Sequence, residues 1–222
     1  MKPEILTFDC YGTLIDWETG IRGAFRKALA RSGRVGVDEG RLFELYEDEE
    51  KMVEKEEYRP YRMVLAETAR RVAGKTGWEM SLEEAGFLAE DLPGWKPFED
   101  TNPALKRFSE KFKLGILSNV DEDLLAGTLR HLSVPFDLIV TAEQVRSYKP
   151  GRAHFDRARK VIGSSGWVHV AGSLYHDIVP AVQLGVRAVW VNRRGMTVPR
   201  NVSGRMVAVV RGLSELAGLF AV

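Results

Sequence analysis

The sequence has little sulfur chemistry to offer: Cys10 is its only cysteine among 222 residues. One thiol excludes an intramolecular disulfide and any multi-cysteine zinc or iron–sulfur site. Charge of one sign is also lacking. Thirty-two Lys and Arg stand against 31 Asp and Glu, a formal net charge of +1. A dedicated nucleic-acid binder carries a basic excess, and attraction to an anionic membrane surface needs one too. No run approaches the roughly 18 to 20 apolar residues of a membrane helix. The apolar stretch at the N-terminus is broken by Asp9 and Asp16 and leads to no cleavage site, so it does not read as a signal peptide. The expectation is a cytoplasmic protein with no nucleic-acid or membrane partner. Without export, the glycosylation pattern at Asn201-Val202-Ser203 reads as a chance match. Internal repeats and low-complexity segments are lacking as well.

What is present is a core-forming chain, 45% apolar, large enough for one ordinary domain or two small ones. Ile5 to Phe8 reads as a short buried strand. Ile21, Phe25, Ala28 and Leu29 then recur at helical spacing from Trp17 until Gly33 stops them. Leu42 to Val53 and Tyr61 to Val72 read as two more helices, and Ser81 with Glu84 forms a capping box opening a fourth. Glu47 to Glu57 holds seven carboxylates and two lysines, read as a solvated helix face. Trp17 and Trp95, at the two ends of this block, read as hinge or interdomain packing.

Beyond Pro97 strands and helices alternate. Strands are read at Leu114–Leu117, Leu138–Val140, Trp167–Ala171, Ala188–Val191 and Met206–Val210. Helices are read at Asp121–Leu132, Ala153–Ile162, Asp177–Leu184 and Leu213–Leu219. This pattern predicts a parallel sheet covered on both faces, an α/β Rossmann-like core interrupted after its first strand by an all-helical domain. The boundaries follow: 1–14 and 98–222 for the core, 15–97 for the insertion.

In such sheets ligands collect beyond the carboxyl ends of the strands. Asp9, Tyr11 and Thr13 follow the first strand, and Ser118 and Asn119 the second. Lys149-Pro150 comes after the third, Ser173 and Asp177 after the fourth, and Arg193 and Arg194 after the fifth. A lysine near Asp9 favours its ionised form, and an ionised carboxylate is a competent nucleophile. Ser118, Asn119 and the backbone N–H groups of the first turn can receive an anion. Cys10, on alternation, points away from the rim as a small buried residue. Gly74-Lys75-Thr76 lacks the earlier glycine of a phosphate-binding loop and sits in a helix.

Together these residues resemble the haloacid dehalogenase superfamily. Phe8-Asp9-Cys10-Tyr11-Gly12-Thr13-Leu14 is similar to its first motif, Leu117-Ser118-Asn119 to its second, Lys149-Pro150 to its third, and Ala171-Gly172-Ser173-Leu174-Tyr175-His176-Asp177 to its fourth. The resemblance implies a Rossmann-like core with a helical cap, Asp9 as nucleophile, Ser118 as anion binder, Lys149 as charge partner and Asp177 as the downstream acid. It sets Thr13 in the catalytic group, and Tyr11, Asn119 and Ser173 on the substrate.

Phosphatases of this superfamily carry an Asp two residues after the nucleophile and a Gly-Asp-Ser fourth motif. Here Tyr11 and Gly172 stand at those places. Tyr11 resembles the type II L-2-haloacid dehalogenase branch, which implies displacement of halide from a small 2-haloalkanoic acid with no cofactor. The alternatives are a Mg²⁺-dependent phosphatase, with the ion on Asp9, the Tyr11 carbonyl and Asp177, or a silent binding protein on the same scaffold. The expected partner is a small-molecule substrate, and the expected state monomer or homodimer. Three positions depart from the dehalogenase branch. Its cap arginine falls near the acidic run around Tyr46 to Glu50, leaving Arg41, Arg59 or Arg62 as substitutes. Phe155 replaces an aromatic hydroxyl, and Leu174 an amide.

Overall fold

The computed structural model describes residues 3–34, 37–200, 202 and 204–222. The Asn201–Ser203 pattern therefore lies largely outside the described residues. Two compact units divide the chain: Met1–Asp16, Pro97–Asn119 and Arg130–Val222 form one, and Trp17–Lys96 with Val120–Leu129 the other.

The first unit is built on six parallel strands, β1 (Ile5–Phe8), β2 (Lys113–Ser118), β3 (Leu138–Thr141), β4 (Trp167–Ala171), β5 (Arg187–Val191) and β6 (Ala208–Val210). Their order is β3-β2-β1-β4-β5-β6. β1 is central, with Phe8 level with Ile116 on one side and Val170 on the other. The inner strands are mostly apolar because both faces are covered, with Thr7 in β1 and His169 in β4 as buried polar exceptions. On one face Leu117, Val140, Ala171 and Trp190 pack with Phe155, Ala158 and Ala181 of the covering helices. On the other, Phe8 meets Phe108 with ring centroids 5.9 Å apart. The chain leaves β1 for β2 and β3, then returns to the far side of β1 for β4. That reversal puts the carboxyl ends of β1, β2 and β4 around a topological switch point.

The second unit is helical. α1 (Trp17–Arg31), α2 (Glu39–Val53), α3 (Tyr61–Lys75) and α4 (Phe87–Asp91) are joined by α6 (Glu122–Leu129), while α5 (Thr101–Ser109) belongs to the sheet unit. α7 (Ala142–Val145), α8 (Ala153–Ile162), α9 (Val179–Gln183) and α10 (Leu213–Leu219) complete the chain. Phe25 packs edge-on to Tyr46 and Phe87. No described helix is long and apolar enough to cross a membrane.

Several expectations are corrected here. The fourth helix is only α4 between two 3-10 turns, Glu84–Gly86 and Leu92–Gly94, although the Ser81–Glu84 capping box forms as read. Gly86 and Pro93 stop it from propagating. The helix from Asp177 is a π-type turn, Leu174–Ile178, followed by the single-turn α9. α5 was not read from the sequence. Trp17 and Trp95 stand at the two boundaries of the helical unit, as read, and within it Trp17 packs against Phe43 and Tyr46, and Trp95 over Gly20, where a Cβ would lie 2.4 Å from its ring. Nor is the acidic run wholly solvated: Glu49 and Glu50 are buried, the first paired with Lys75, the second accepting from the Tyr46 and Tyr61 hydroxyls at 2.7 Å each.

Candidate active site

β1 delivers Asp9 at its carboxyl end, and the chain turns at once. Cys10 O accepts from the N–H groups of Leu14 and Ile15 at 2.8 and 3.0 Å, and Gly12 takes φ +88°. That left-handed angle suits glycine. The turn brings Thr13 back so that its hydroxyl donates to Asp9 Oδ2 at 2.7 Å, while Gly172 N–H donates to Thr13 Oγ1 at 2.8 Å. The first and fourth motifs are thus tied through one hydroxyl. A Cβ on Gly172 would stand 2.5 Å from Gly12 O, closer than any real contact, so this position takes no side chain without the turn moving.

Lys149, 1% exposed, reaches the same point from the loop before α8. Its Nζ donates to Asp9 Oδ1 at 2.9 Å, Asp177 Oδ1 at 2.6 Å and Leu117 O at 2.7 Å. All three ammonium hydrogens are therefore spent, on two carboxylates and a carbonyl. Its peptide bond to Pro150 is cis. Asn119 holds the lysine's main chain from both sides, accepting from Lys149 N–H at 2.7 Å and donating to Lys149 O at 3.0 Å. Asn119, expected on the substrate, thus orients Lys149.

The electrostatics follow from burying two carboxylates on one cation. Burial pushes the Asp9 carboxyl up from its ordinary value, Lys149 pulls it back, and Asp177 pushes it up again. Burial also opposes the Asp177 charge, but Lys149 and His169 outweigh it and hold that carboxyl well below the usual range. Burial opposes the Lys149 charge, and the two carboxylates overcome this and raise its ammonium. Environments that push two neighbouring carboxyls apart are the pattern of divided acid–base roles. Burial pushes the Cys10 thiol well up, leaving a small inert core residue.

Ser118 ends β2 with its hydroxyl buried and without a partner, and Asp177 Oδ2 is likewise buried and unpartnered. Buried polar atoms are almost always satisfied; His154 Nδ1 is unpartnered as well, but Ser118 and Asp177 are the two with such an atom that follow strands at the carboxyl ends around Asp9. Tyr11 is half-buried in the turn. Ser173 Oγ accepts from His176 N–H at 3.1 Å and bonds His176 Nδ1 at 3.1 Å, which caps the π-type turn. Arg193 is not a free rim cation. Its guanidinium donates to both Asp100 oxygens, at 2.9 and 3.3 Å, and to Thr13 O at 3.0 Å, and it lies 3.8 Å over the Phe98 ring.

Of the arginines offered as substitutes for the dehalogenase arginine, Arg41 pairs with Glu44, Arg59 with Glu56, and Arg62 with Asp121 and Asp123. The hydrogen-bond partners of the Asp9 carboxylate are Lys149 and Thr13. Two buried histidines escaped the sequence reading. His154 Nε2 donates to Ser118 O at 3.1 Å; burial, and then the Lys149 charge, push this imidazole down to about 3, so it is neutral. His169 Nε2 reaches Asp177 Oδ1 at 3.0 Å. Their signal was available: a histidine inside a buried apolar strand or at the core-facing start of a helix asks for a partner.

Residues 3–182 match the family model of haloacid dehalogenase-like hydrolases. The chain belongs to that family. No curated protein matches it in sequence. Among solved structures it is similar to a defluorinating L-2-haloacid dehalogenase (TM-score 0.84, 21% identity, covering 99% of this chain and 96% of the other). The L-2-haloacid dehalogenase of Xanthobacter autotrophicus with chloropropionic acid covalently bound gives TM-score 0.80 at 19% identity, over 99% and 98%. The magnesium-bound HAD-hydrolase YfnB of Bacillus subtilis gives 0.82 at 18%, over the whole of both chains. Identities this low establish the shared fold.

Proposed function

We propose that the protein is a metal-independent hydrolase that displaces halide from a small 2-haloalkanoic acid through a covalent ester on Asp9. The observation that carries this reading is the single lysine shared by Asp9 and Asp177, with a bare glycine where a further carboxylate would serve a metal. The carboxylate of Asp9 attacks the halogen-bearing carbon. The new C–O bond forms as the carbon–halogen bond breaks, and the halide leaves with the bonding pair and needs no proton. Water then gives a proton to Asp177 and attacks the Asp9 carbonyl carbon. The bond between that carbonyl carbon and the substrate oxygen breaks, the leaving oxygen takes the proton back from Asp177 to give the 2-hydroxy acid, and the hydroxyl added from water loses its proton to solvent, which regenerates the Asp9 carboxylate. Ser118, whose hydroxyl is open, receives the substrate carboxylate, and Thr13 and Lys149 stabilise the negative charge that returns to Asp9.

The residues do not fit a Mg²⁺ ion well. The ion asks for near-octahedral oxygen ligands; Asp9, the Tyr11 carbonyl and Asp177 Oδ2 are what the chain offers, the Lys149 ammonium already sits between the two carboxylates, and Gly172 has no side chain to add. No group of three or more His, Cys, Asp or Glu suited to a metal occurs among the described residues.

The test is a panel of 2-chloropropionate and an aryl phosphate, each with and without Mg²⁺, beside Asp9→Asn. The expected result is metal-free chloride release that Asp9→Asn abolishes, with ¹⁸O from labelled water entering Asp9 in a single turnover. Mg²⁺-dependent phosphate release lost in Asp9→Asn overturns the reading in favour of a phosphatase.

A further inference from the structure

On the sheet face beneath α8 a line of buried polar groups, themselves with no direct part in the proposed reaction, leads to Asp177. Trp167 Nε1 donates to Thr7 Oγ1 at 2.8 Å, Thr7 Oγ1 bonds His169 Nδ1 at 2.9 Å, and His169 Nε2 bonds Asp177 Oδ1 at 3.0 Å. Thr7, His169 and Asp177 are fully buried. Strand register explains the alignment, since Thr7 of β1 pairs directly with His169 of β4.

Hydrogen positions follow from the chemistry at the two ends. A carboxylate oxygen only accepts, so His169 Nε2 carries a hydrogen. Trp167 Nε1 only donates, so Thr7 Oγ1 accepts there and keeps one hydrogen of its own. In a neutral imidazole that hydrogen goes to His169 Nδ1 and the ring's proton sits on Nε2. Every bond runs the same way, from indole to hydroxyl to imidazole to carboxylate. Phe155 stands edge-on to the imidazole with centroids 5.2 Å apart, so packing fixes the ring plane as well.

Asp177 Oδ1 receives both His169 and Lys149, whereas Oδ2 receives nothing. We propose that His169 is a positioning residue: with its tautomer set by Thr7, it pins Asp177 Oδ1 and thereby presents Oδ2 as the oxygen that takes the proton from the hydrolytic water. The inference rests on the proposed hydrolysis of an Asp9 ester and adds to it which oxygen works and what aims it. Lys149 alone would leave the carboxylate free to rotate about its one anchored oxygen. A second donor on that oxygen from a different direction fixes the plane.

The experiment compares wild type with His169→Phe, which keeps ring packing and loses the donor, His169→Gln, which keeps an N–H near the Nε2 position, and Thr7→Val. Two readouts are taken on the intact chain. The ¹⁵N shifts of labelled His169 report its tautomer without substrate. Rapid quenching with 2-chloropropionate, followed by intact mass, separates formation of the Asp9 ester from its hydrolysis. The expected result is the Nε2–H tautomer in wild type, lost in Thr7→Val. In His169→Phe, ester formation stays within a few-fold while ester hydrolysis slows by about 10²-fold, the scale of a misplaced catalytic group, so the adduct accumulates. His169→Gln restores most of the hydrolysis.

An Nδ1–H tautomer in wild type, or wild-type hydrolysis in His169→Phe, overturns the inference. A parallel fall of both steps that His169→Gln does not rescue also overturns it, because that marks a purely structural histidine. If wild type forms no adduct, the haloacid reading fails and the tautomer decides alone: Nε2–H lost in Thr7→Val supports the directed chain, and Nδ1–H removes it.

Discussion

Two regions of this molecule bury carboxylates, and they satisfy them in opposite ways. At the sheet edge, Asp9 and Asp177 share the Lys149 ammonium, and Asp177 Oδ2 and the nearby Ser118 hydroxyl are left with nothing. In the helical unit, Glu50 takes two phenols and Asp121 takes two backbone N–H groups, from Tyr61 at 2.7 Å and Arg62 at 3.0 Å. Burial pushes the Tyr46 and Tyr61 hydroxyls well above their ordinary value, as does the Glu50 charge, so they remain donors. The first arrangement leaves acceptors and donors open for a ligand. The second closes on itself and serves the packing of helices.

The sharpest way to break the comparison is Lys149→Met. It leaves Asp9 and Asp177 facing each other without their cation. Removing one partner of a buried pair costs about 3 to 5 kcal/mol. Urea unfolding at neutral pH should show a loss of that size, with no ester formed on Asp9. Asp177 gives the direction on acidification. Its carboxyl is held below the ordinary range in the folded protein, so its stabilisation is present above the unfolded value and is lost as pH falls through the folded one. In Lys149→Met that acid sensitivity should shrink.

A smaller loss is expected in the helical unit. Tyr46→Phe and Tyr61→Phe each remove one hydrogen bond to a charged acceptor, worth about 1.5 to 3 kcal/mol. They share Glu50, so the double variant should lose a different amount from the added single losses. Additive losses in urea unfolding would mean that the two phenols do not act on one carboxylate. Asp121→Ala should cost less, about 0.5 to 2 kcal/mol, since it removes the cap of α3 and a half-exposed contact with Arg62, which keeps Asp123 as its partner. That helix has no side-chain cap of its own because Pro60 precedes it.

These regions were unequally legible in the sequence. β1, β4, α8 and α10 are legible to the residue because short apolar runs or helical spacings end at clear breakers. The candidate rim residues were read because each follows a strand. Asp9, Thr13, Lys149 and Asp177 converge in space through their side chains, whereas Asn119 holds the main chain of Lys149 and Arg193 holds Asp100 and the Thr13 carbonyl. Arg193 reads as a rim cation until its partner Asp100, 93 residues away, is known. The burial of Glu50 was hidden for the same reason: Tyr46 lies one turn away, but Tyr61 arrives on another helix. α5 had its signal in Ala104, Leu105 and Phe108, broken up by Pro103. The run Trp167–Thr7–His169 depends on strand register, which no single stretch of sequence states.

The smallest effect is expected at Thr13, and it asks whether the open site is tuned or merely assembled. The Thr13 hydroxyl holds Asp9 Oδ2 at 2.7 Å and favours the ionised carboxylate, against burial and Asp177, which disfavour it. If attack requires the carboxylate, the rate of ester formation rises with pH through the Asp9 ionisation, at a midpoint above the ordinary carboxyl value. Thr13→Val removes a donor to the charged form, so the midpoint should move to higher pH, with the plateau rate changed less than the midpoint. Thr13→Ser keeps the donor and should leave the midpoint in place. Rapid-quench rates of ester formation across pH, for the three proteins, decide the matter. A midpoint that moves down in Thr13→Val, or stays put, would assign this threonine to holding Gly172 and the turn alone, and the sheet edge would then resemble the closed cluster of the helical unit more than its open acceptors suggest.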